Sequence, residues 1–372
     1  MGEPDLELLA LLQLNLVSGI GPRIQTALLE HFGSAVAVLE ASGGQLLAVD
    51  GVGPKLSAAI TAARNLEAAR TEHTLAYDSG VELLLRRDAR YPEPLGRIFD
   101  PPGVLYCRGE LLERDALAVA IVGSRQTSSY GRKIAEQLGY GLALAGFTVI
   151  SGLARGIDAA AHRGALKAGG RTIAVCATGL AHVYPPEHVQ LAEEICRQGA
   201  LVSESPMTRQ GQPGLFPQRN RIIAGMSQGV VIVEAGRKSG ALHRARHAQE
   251  QGREVFAVPG RIDHPGCLGC LDLLTDGATL VRGIDDILDA LGPLSAPVRT
   301  SPETVVHAPR ELTLNEQERD VLSLVETEPT PIDHILAQSP IEPSRVLATL
   351  TVLEMKRLIR RQPGGFVERT GR

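Results

Sequence analysis

The sequence has no tryptophan, and its six tyrosines and six phenylalanines are few for 372 residues. An aromatic side chain in a polar loop is therefore informative wherever it occurs. Five cysteines, Cys107, Cys176, Cys196, Cys267 and Cys270, are too few and of the wrong parity for a disulfide framework. No apolar run reaches the ~18 residues of a membrane-spanning helix. The acidic start, MGEPDLELLA, lacks the basic stretch of a secretory signal. A cytoplasmic protein without membrane association is expected. There is no G-x-x-x-x-G-K-[ST] loop and no G-x-G-x-x-G turn, so neither a P-loop nucleotidase nor an ordinary dinucleotide-binding domain fits. No cofactor is expected. Net charge is −4, which carries no overall signature of a polyanion binder.

The charge that is present is unevenly spread. From Ser203 to Arg261, nine basic residues stand against four acidic ones. Such a stretch either steers a polyanion or is a solvated basic face. Near its middle, FPQRNRIIAG sets Arg219, Asn220 and Arg221 directly before Ile222, Ile223 and Ala224. The polar cluster is tied to a segment that favours burial.

Three regions separate along the chain. Residues 1–75 read as a small helical domain. SGIGPRIQTAL and VDGVGPKLSAAI share one plan, a glycine turn followed by proline near the first helical position. The turns are similar to helix-hairpin-helix turns that hold a DNA phosphate, or they belong to a SAM-like packing module. Four basic against seven acidic residues in 1–70 favour packing. Residues 80–292 alternate short β-branched runs (117–122, 147–150, 172–176, 200–203, 230–233 and 254–258) with helical stretches. That alternation predicts a Rossmann-like doubly wound α/β sheet, whose ligands bind beyond the carboxyl ends of the strands. Residues 293–310 are rich in Pro, Ser and Thr and read as a linker. In 311–372, LNEQERDVLSLVE, PIDHILAQS and EPSRVLATLTVLEMKRLIRR read as three helices and QPGGFVER as a wing, which predicts a winged-helix domain.

The loops after the strands carry the chemistry. IVGSRQTSSYG offers Gly123, Ser124 and Arg125; VISGLARGIDAAAHRGAL offers Ser151 and Gly152; VEAGRKSGAL offers Lys238, Ser239 and Gly240. Glycines at such turns free backbone N–H groups for phosphate oxygens, and a guanidinium forks onto them. One phosphate needs one such loop, whereas a row of them suits a polyphosphate backbone. Asp158 and His162 share a helix face, but no nucleophile accompanies them, and Asp158 in a first turn complements the helix dipole. The pair does not read as catalytic.

These segments, with DARYPEPLGRIFDPPGVLYCRG, GLAHVYPPEH, LVSESP and REVFAVPG, occur in an order that resembles the DNA-processing protein A (DprA, or Smf) family over about residues 80–282. The resemblance implies a homodimer that binds single-stranded DNA on its Rossmann-like domain and loads RecA recombinase in natural transformation, without enzymatic activity. Carried over by motif, the nucleic-acid contacts fall on Arg125, Phe216, Arg219, Asn220, Arg221 and Lys238, with Phe216 as the base-stacking partner. It also implies a dimer contact in GCLGCLDLLTDGATL, through Leu268, Leu271, Leu273 and Leu274. There this chain departs from the family's GCN-x-L-I: Leu271 holds the Asn position, and Cys267 adds a C-x-x-C with His264 nearby. A lone C-x-x-C without a second pair does not make a zinc-site spacing, so no metal is expected.

Two other functions compete. One is nucleotide hydrolysis of the lysine-decarboxylase-like phosphoribohydrolase type, whose P-G-G-x-G-T signature is replaced here by AGRKSGAL, with Glu234 just before it. The other is sequence-specific duplex reading by the winged helix. Residues 311–372 carry ten acids against eight bases, poor for phosphate-driven reading. The basic residues at its end suit a modest duplex DNA contact or a protein partner.

Overall fold

The structure, a computed structural model, describes residues 4–370 except 213, 238, 292–297, 302–303 and 327. It divides into two compact units, Met1–Gly283 and Ile284–Arg372. The first contains both the helical region and the α/β region.

Besides a single helical turn at Gly43–Leu46, five helices open the chain: α1 (Leu6–Leu16), α2 (Pro22–Phe32), α3 (Ala35–Glu40), α4 (Pro54–Ala62) and α5 (Glu67–Asp78). Both glycine turns form as the sequence predicts. Gly21 and Gly53 are N-caps, each followed by proline at the first helical position. Gly19 and Gly51 take positive φ of 97° and 82°, a region open to glycine at little cost. The turns are used for packing. Gly51 lies against Ile24, Gly19 against Leu56, and Gly21 and Pro22 border the same small cavity as Pro102, Glu204 and Arg219. The helices also share one apolar core with the sheet, in which Leu9, Leu12, Leu28 and Ile60 join Val104, Tyr106, Ala174 and Leu201. Buried Glu72 on α5 accepts from the Tyr106 hydroxyl at 2.9 Å and from the Met207 amide at 2.6 Å. Helices and sheet are thus one cooperative body.

The sheet has nine strands: β1 (Glu82–Leu85), β2 (Val104–Gly109), β3 (Ala118–Gly123), β4 (Thr148–Ser151), β5 (Thr172–Val175), β6 (Ala200–Ser203), β7 (Gly229–Val233), β8 (Glu254–Ala257) and β9 (Thr279–Leu280). Their order is β1-β2-β6-β5-β4-β3-β7-β8-β9. All six β-branched runs are strands, and from β6 to β9 every pairing is parallel. β1 and β2 extend the sheet antiparallel at one edge. Side chains alternate between faces with period two: Leu84, Leu105 and Cys107 enter one core, while Leu85, Val104 and Tyr106 enter the other. The chain winds one way from β3 through β4 and β5 to β6, then restarts on the other side of β3 with β7. The crevice between the carboxyl ends of β3 and β7 is therefore the switch point, where ligands of such sheets bind.

Six helices flank the sheet: α6 (Ser129–Leu144), α7 (Ile157–Lys167), α8 (Val189–Gln198), α9 (Leu215–Gly225), α10 (Gly240–Glu250) and α11 (Leu268–Thr275). The second unit contains α12 (Ile284–Ala290), a hairpin of β10 (Val298–Ser301) and β11 (Thr304–Val306), α13 (Glu316–Ser323), β12 (Thr330–Pro331), α14 (Ile332–Gln338), α15 (Pro343–Met355), β13 (Ile359–Gln362) and β14 (Phe366–Arg369). Two expectations change here. The described part of the 293–310 linker contains paired strands, Val298 opposite Val306 and Arg299 opposite Val305, because its β-branched residues favour extended pairing. The third helix also stops at Met355. Arg357 takes φ 54°, and Leu358-Ile359-Arg360-Arg361 turns back into the wing. Gly364 and Gly365, both at positive φ, make the hairpin turn.

Candidate nucleic-acid interface

At the switch point, Gly123 ends β3 where an added Cβ would collide with the Val233 carbonyl and Ile157. Only glycine lets β3, β7 and α7 approach this closely. Ser128 caps α6 by accepting from the Gly131 amide at 3.0 Å. Between them, Ser124 both donates to the Gln126 carbonyl (2.7 Å) and accepts from its amide (3.1 Å), which makes a tight turn that throws Arg125 outward. The exposed Arg125 guanidinium stands 4.5 Å from the centre of the Phe216 ring, a cation–π contact. Phe216 lies in the first turn of α9. Tyr184, from the loop after β5, is 43% exposed and sits 5.9 Å from Phe216 between ring centres. Ser239 caps α10 across the crevice, accepting from the Ala241 amide.

Arg125, Tyr184, Phe216, Asn220, Ser239 and Arg244 are among the residues lining one open cleft of about 770 Å³. Gly123, Ser124 and Gly240 line it too. The Phe216 and Tyr184 rings offer faces for a base, and the exposed Arg125 guanidinium beside them offers a partner for phosphate.

The arginines of FPQRNRIIAG are placed otherwise than the sequence reading expects. Arg219 is 1% exposed. Its Nη1 donates to the carbonyls of Gly152 (2.8 Å) and Val175. Burial, then the neighbouring Arg244, pushes its pKa down to about 9, which leaves it charged at neutral pH. Arg221 is 4% exposed and bonded to two carboxylates, Asp100 at 3.1 Å and Glu204. Neither guanidinium stands on a surface, so the expectation of direct phosphate contacts is corrected for both. The reason is α9 itself: Ile222, Ile223 and Ala224 draw it into the core, and its arginines go in with it.

The two then differ. Arg221 is neutralised by its carboxylates. Arg219 faces the buried Asp158, which also lies 3.7 Å from the buried Arg244. Two guanidiniums around one carboxylate leave an uncompensated positive charge. It lies behind the cleft wall, where Arg244 Nε donates to Asn220 Oδ1 at 2.8 Å. In a low-dielectric interior that charge is felt at the cleft more strongly than an exposed one.

Gly152 proves to be a spacing residue: a Cβ there would strike the Arg219 guanidinium. Ser151 is fully buried and donates to the Ile121 carbonyl at 2.6 Å. Its hydroxyl is turned into the sheet and away from the cleft. Lys238 lies outside the described residues. His162 is fully buried and burial pushes its pKa down to about 3, so its imidazole is neutral. Thr172 Oγ1 donates to the Val149 carbonyl and accepts from His162 Nδ1 at 2.7 Å. His162 and Asp158 are both internal. The sequence reading passed over Tyr184 and Arg244 as site residues. Arg244 was detectable, because in GALHRARHAQE it falls on the alanine face of Ala241, Ala245 and Ala248, where a charge is out of place.

The leucines expected at a dimer contact divide. All four are half-buried, with Leu273 and Leu274 packed on the core under β7 and β8. β9, which follows α11 in the chain, is the last strand in the sheet order, and its Leu280 is 43% exposed. Among the described residues, no helix is long and apolar enough to cross a membrane.

Residues 82–292 match the family described as DNA recombination-mediator protein A, residues 306–365 the DprA winged helix domain, and residues 9–65 a SAM-like helix-hairpin-helix tandem. The chain is 34% identical to Protein Smf of Synechocystis over 94% of its length and 95% of that protein's. It is 40% identical to Protein Smf of Escherichia coli over 74% of each. Among solved structures it is similar to DNA processing protein A of Streptococcus pneumoniae (TM-score 0.67, 32% identity, 76% of this chain and 98% of that one). It is also similar to DNA processing protein A of Helicobacter pylori (TM-score 0.51, 30% identity, 57% and 95%), described with a single-stranded DNA binding mode. From its helix-hairpin-helix start to its winged-helix end, the chain belongs to the DNA recombination-mediator protein A family, that of DprA and Smf.

Proposed function

We propose that the chain is a single-stranded DNA-binding recombination mediator that takes up DNA in the switch-point cleft. The observation that carries this is the Arg125–Phe216–Tyr184 cluster. It sets a cation and two aromatic faces side by side in an open crevice, with buried positive charge behind it. Stacking on such rings is worth ~1–3 kcal/mol per base and tolerates any sequence. The single-stranded DNA binding mode named for the Helicobacter pylori relative supports the same ligand class. Loading of RecA recombinase and dimerisation through the β9 edge and α11, both implied by the family, belong to this reading. Natural transformation is the process in which a mediator of this kind acts. Lys238, one residue before Ser239 in the sequence, keeps the phosphate contact that the family resemblance implies.

The test is a gel-shift comparison of oligo-dT with a duplex of equal length, run beside nucleotide-hydrolysis and RecA strand-exchange assays. Preference for the single strand, stimulated strand exchange and no hydrolysis are the expected results. Steady release of phosphate or base by pure protein would overturn the reading in favour of an enzyme.

A further inference from the structure

Outside the cleft, the described residues bring together three metal-competent side chains, Glu234, His264 and Cys267, whose ligand atoms all lie within 4.8 Å of one another. They do not include the second cysteine of the C-x-x-C. Cys270 is fully buried, its sulfur 3.7 Å from the Ile232 carbonyl. The third partner is instead Glu234, which follows β7 and is supplied by the fold alone.

The cluster is built closely. The Cys267 amide donates to the His264 carbonyl at 2.9 Å, closing a turn that leaves Cys267 Sγ 3.6 Å from His264 Nδ1. An ion holding nitrogen at ~2.0 Å and sulfur at ~2.3 Å in tetrahedral geometry separates them by about 3.5 Å. The pair therefore stands at ligating distance. Three glycines make the space: an added Cβ would strike Cys267 at Gly260, the His264 ring at Gly266, and the Glu234 carboxylate at Gly131. Glu234 holds φ at 51°, a strained backbone for a residue with a side chain. Its carboxylate accepts from the Thr127 and Ser128 hydroxyls and from the Ser128 amide at 2.8 Å. Burial alone would raise its pKa, but these hydrogen bonds hold it below the ordinary value. A carboxylate has further lone pairs for an ion, and donors behind a ligand fix its orientation as outer-shell partners do in metal sites.

We propose that Glu234, His264 and Cys267 form a binding site for a zinc-class divalent ion. The thiolate selects a borderline-soft transition metal over magnesium or calcium. Glu234 and Cys267 are each 5% exposed while His264 is open to solvent, so the ion is closed on its inner side and keeps a fourth position facing out. Binding displaces the Cys267 thiol proton to solvent. The ion clips the loop after β8 to the end of β7 and, through Glu234, to the turn that carries Arg125.

The test uses the full chain, stripped with chelator and titrated with Co²⁺ as a spectroscopic substitute for zinc. A thiolate-to-cobalt charge-transfer band is expected, saturating at a single ion per chain and abolished by Zn²⁺. Cys267→Ser should remove the band. His264→Ala, at an exposed position that cannot harm the core, should weaken Co²⁺ binding ~10-fold or more. Cys270→Ser should keep the band. The proposal is overturned if wild-type protein gives no band, if the band survives Cys267→Ser, or if Cys270→Ser loses it while circular dichroism shows an intact fold.

Discussion

Arg221 provides a sharp test of the site's architecture, because sequence and structure assign it different work. Its side chain is 5% exposed and bonded to Asp100 and Glu204, each 19% exposed. Replacing it with alanine leaves two covered carboxylates with no cation. Breaking a buried pair in this way costs ~3–5 kcal/mol. The residual exposure of the carboxylates puts Arg221→Ala at the lower end, about 3 kcal/mol, or roughly 5 °C in melting temperature for a unit of this size. The loss should depend on pH. Burial already raises the Glu204 pKa above its ordinary 4.5, and Arg221 is what pulls it back. Without Arg221 it rises further. A group raised in the folded state favours folding while protonated and loses that contribution as pH rises through its folded pKa. Destabilisation should therefore be larger at pH 8 than at pH 5, and Arg221→Met with Asp100→Asn and Glu204→Gln should recover most of it. Thermal unfolding by circular dichroism at both pH values reads this directly, with oligo-dT binding measured well below the transition. A variant that melts within ~2 °C of wild type yet loses DNA binding would refute the internal role and restore Arg221 as a phosphate contact.

Arg125→Ala should leave stability unchanged and weaken binding to every single strand alike, lowering the slope of log K against log salt by ~0.7; an unchanged salt slope would remove Arg125 from the phosphate track. Phe216→Ala should cost ~1–3 kcal/mol in oligo-dT affinity with that slope unchanged; wild-type affinity would show that no base stacks there. Leu268→Glu with Leu271→Glu, chosen because Leu273 and Leu274 already serve the core, should give a folded monomer by light scattering, with lower affinity for long DNA because two linked sites reinforce each other; a folded dimer would move the interface elsewhere. A chain ending at Gly283 should bind oligo-dT within a few-fold of full length, and a drop beyond ~1.4 kcal/mol, tenfold, with the dimer preserved, would place part of the site on the second unit.

Much of the fold was legible because its signals are local. The runs at 117–122, 147–150, 172–176, 200–203, 230–233 and 254–258 are continuous and β-branched, and each forms a strand. The glycine-proline turns of residues 19–22 and 51–54 cap helices as read. What escaped were weak or ambiguous segments. β9 is two residues long, and Leu83-Leu84-Leu85 in β1 is an apolar run too short to separate strand from helix by periodicity. The wing strand Ile359–Gln362 was absorbed into the preceding helix because Leu358 and Ile359 continue its apolar pattern, and only the left-handed turn at Arg357 ends it.

The site divides along the same line. Sequence alone determined which loops stand at the strand ends and which residue types they carry, since strand direction and glycine turns follow from local pattern. Tertiary structure decided which of those residues meet a ligand. In FPQRNRIIAG the polar and apolar residues follow each other so closely that no periodicity tells which way a guanidinium points. The carbonyls of Gly152 and Val175, the carboxylates of Asp100 and Glu204, and the charges of Asp158 and Arg244 lie far away in sequence, and they turn Arg219 and Arg221 inward while Arg125 remains outside. A buried charge is stable only where partners converge on it from several elements, and that convergence exists only in the folded chain.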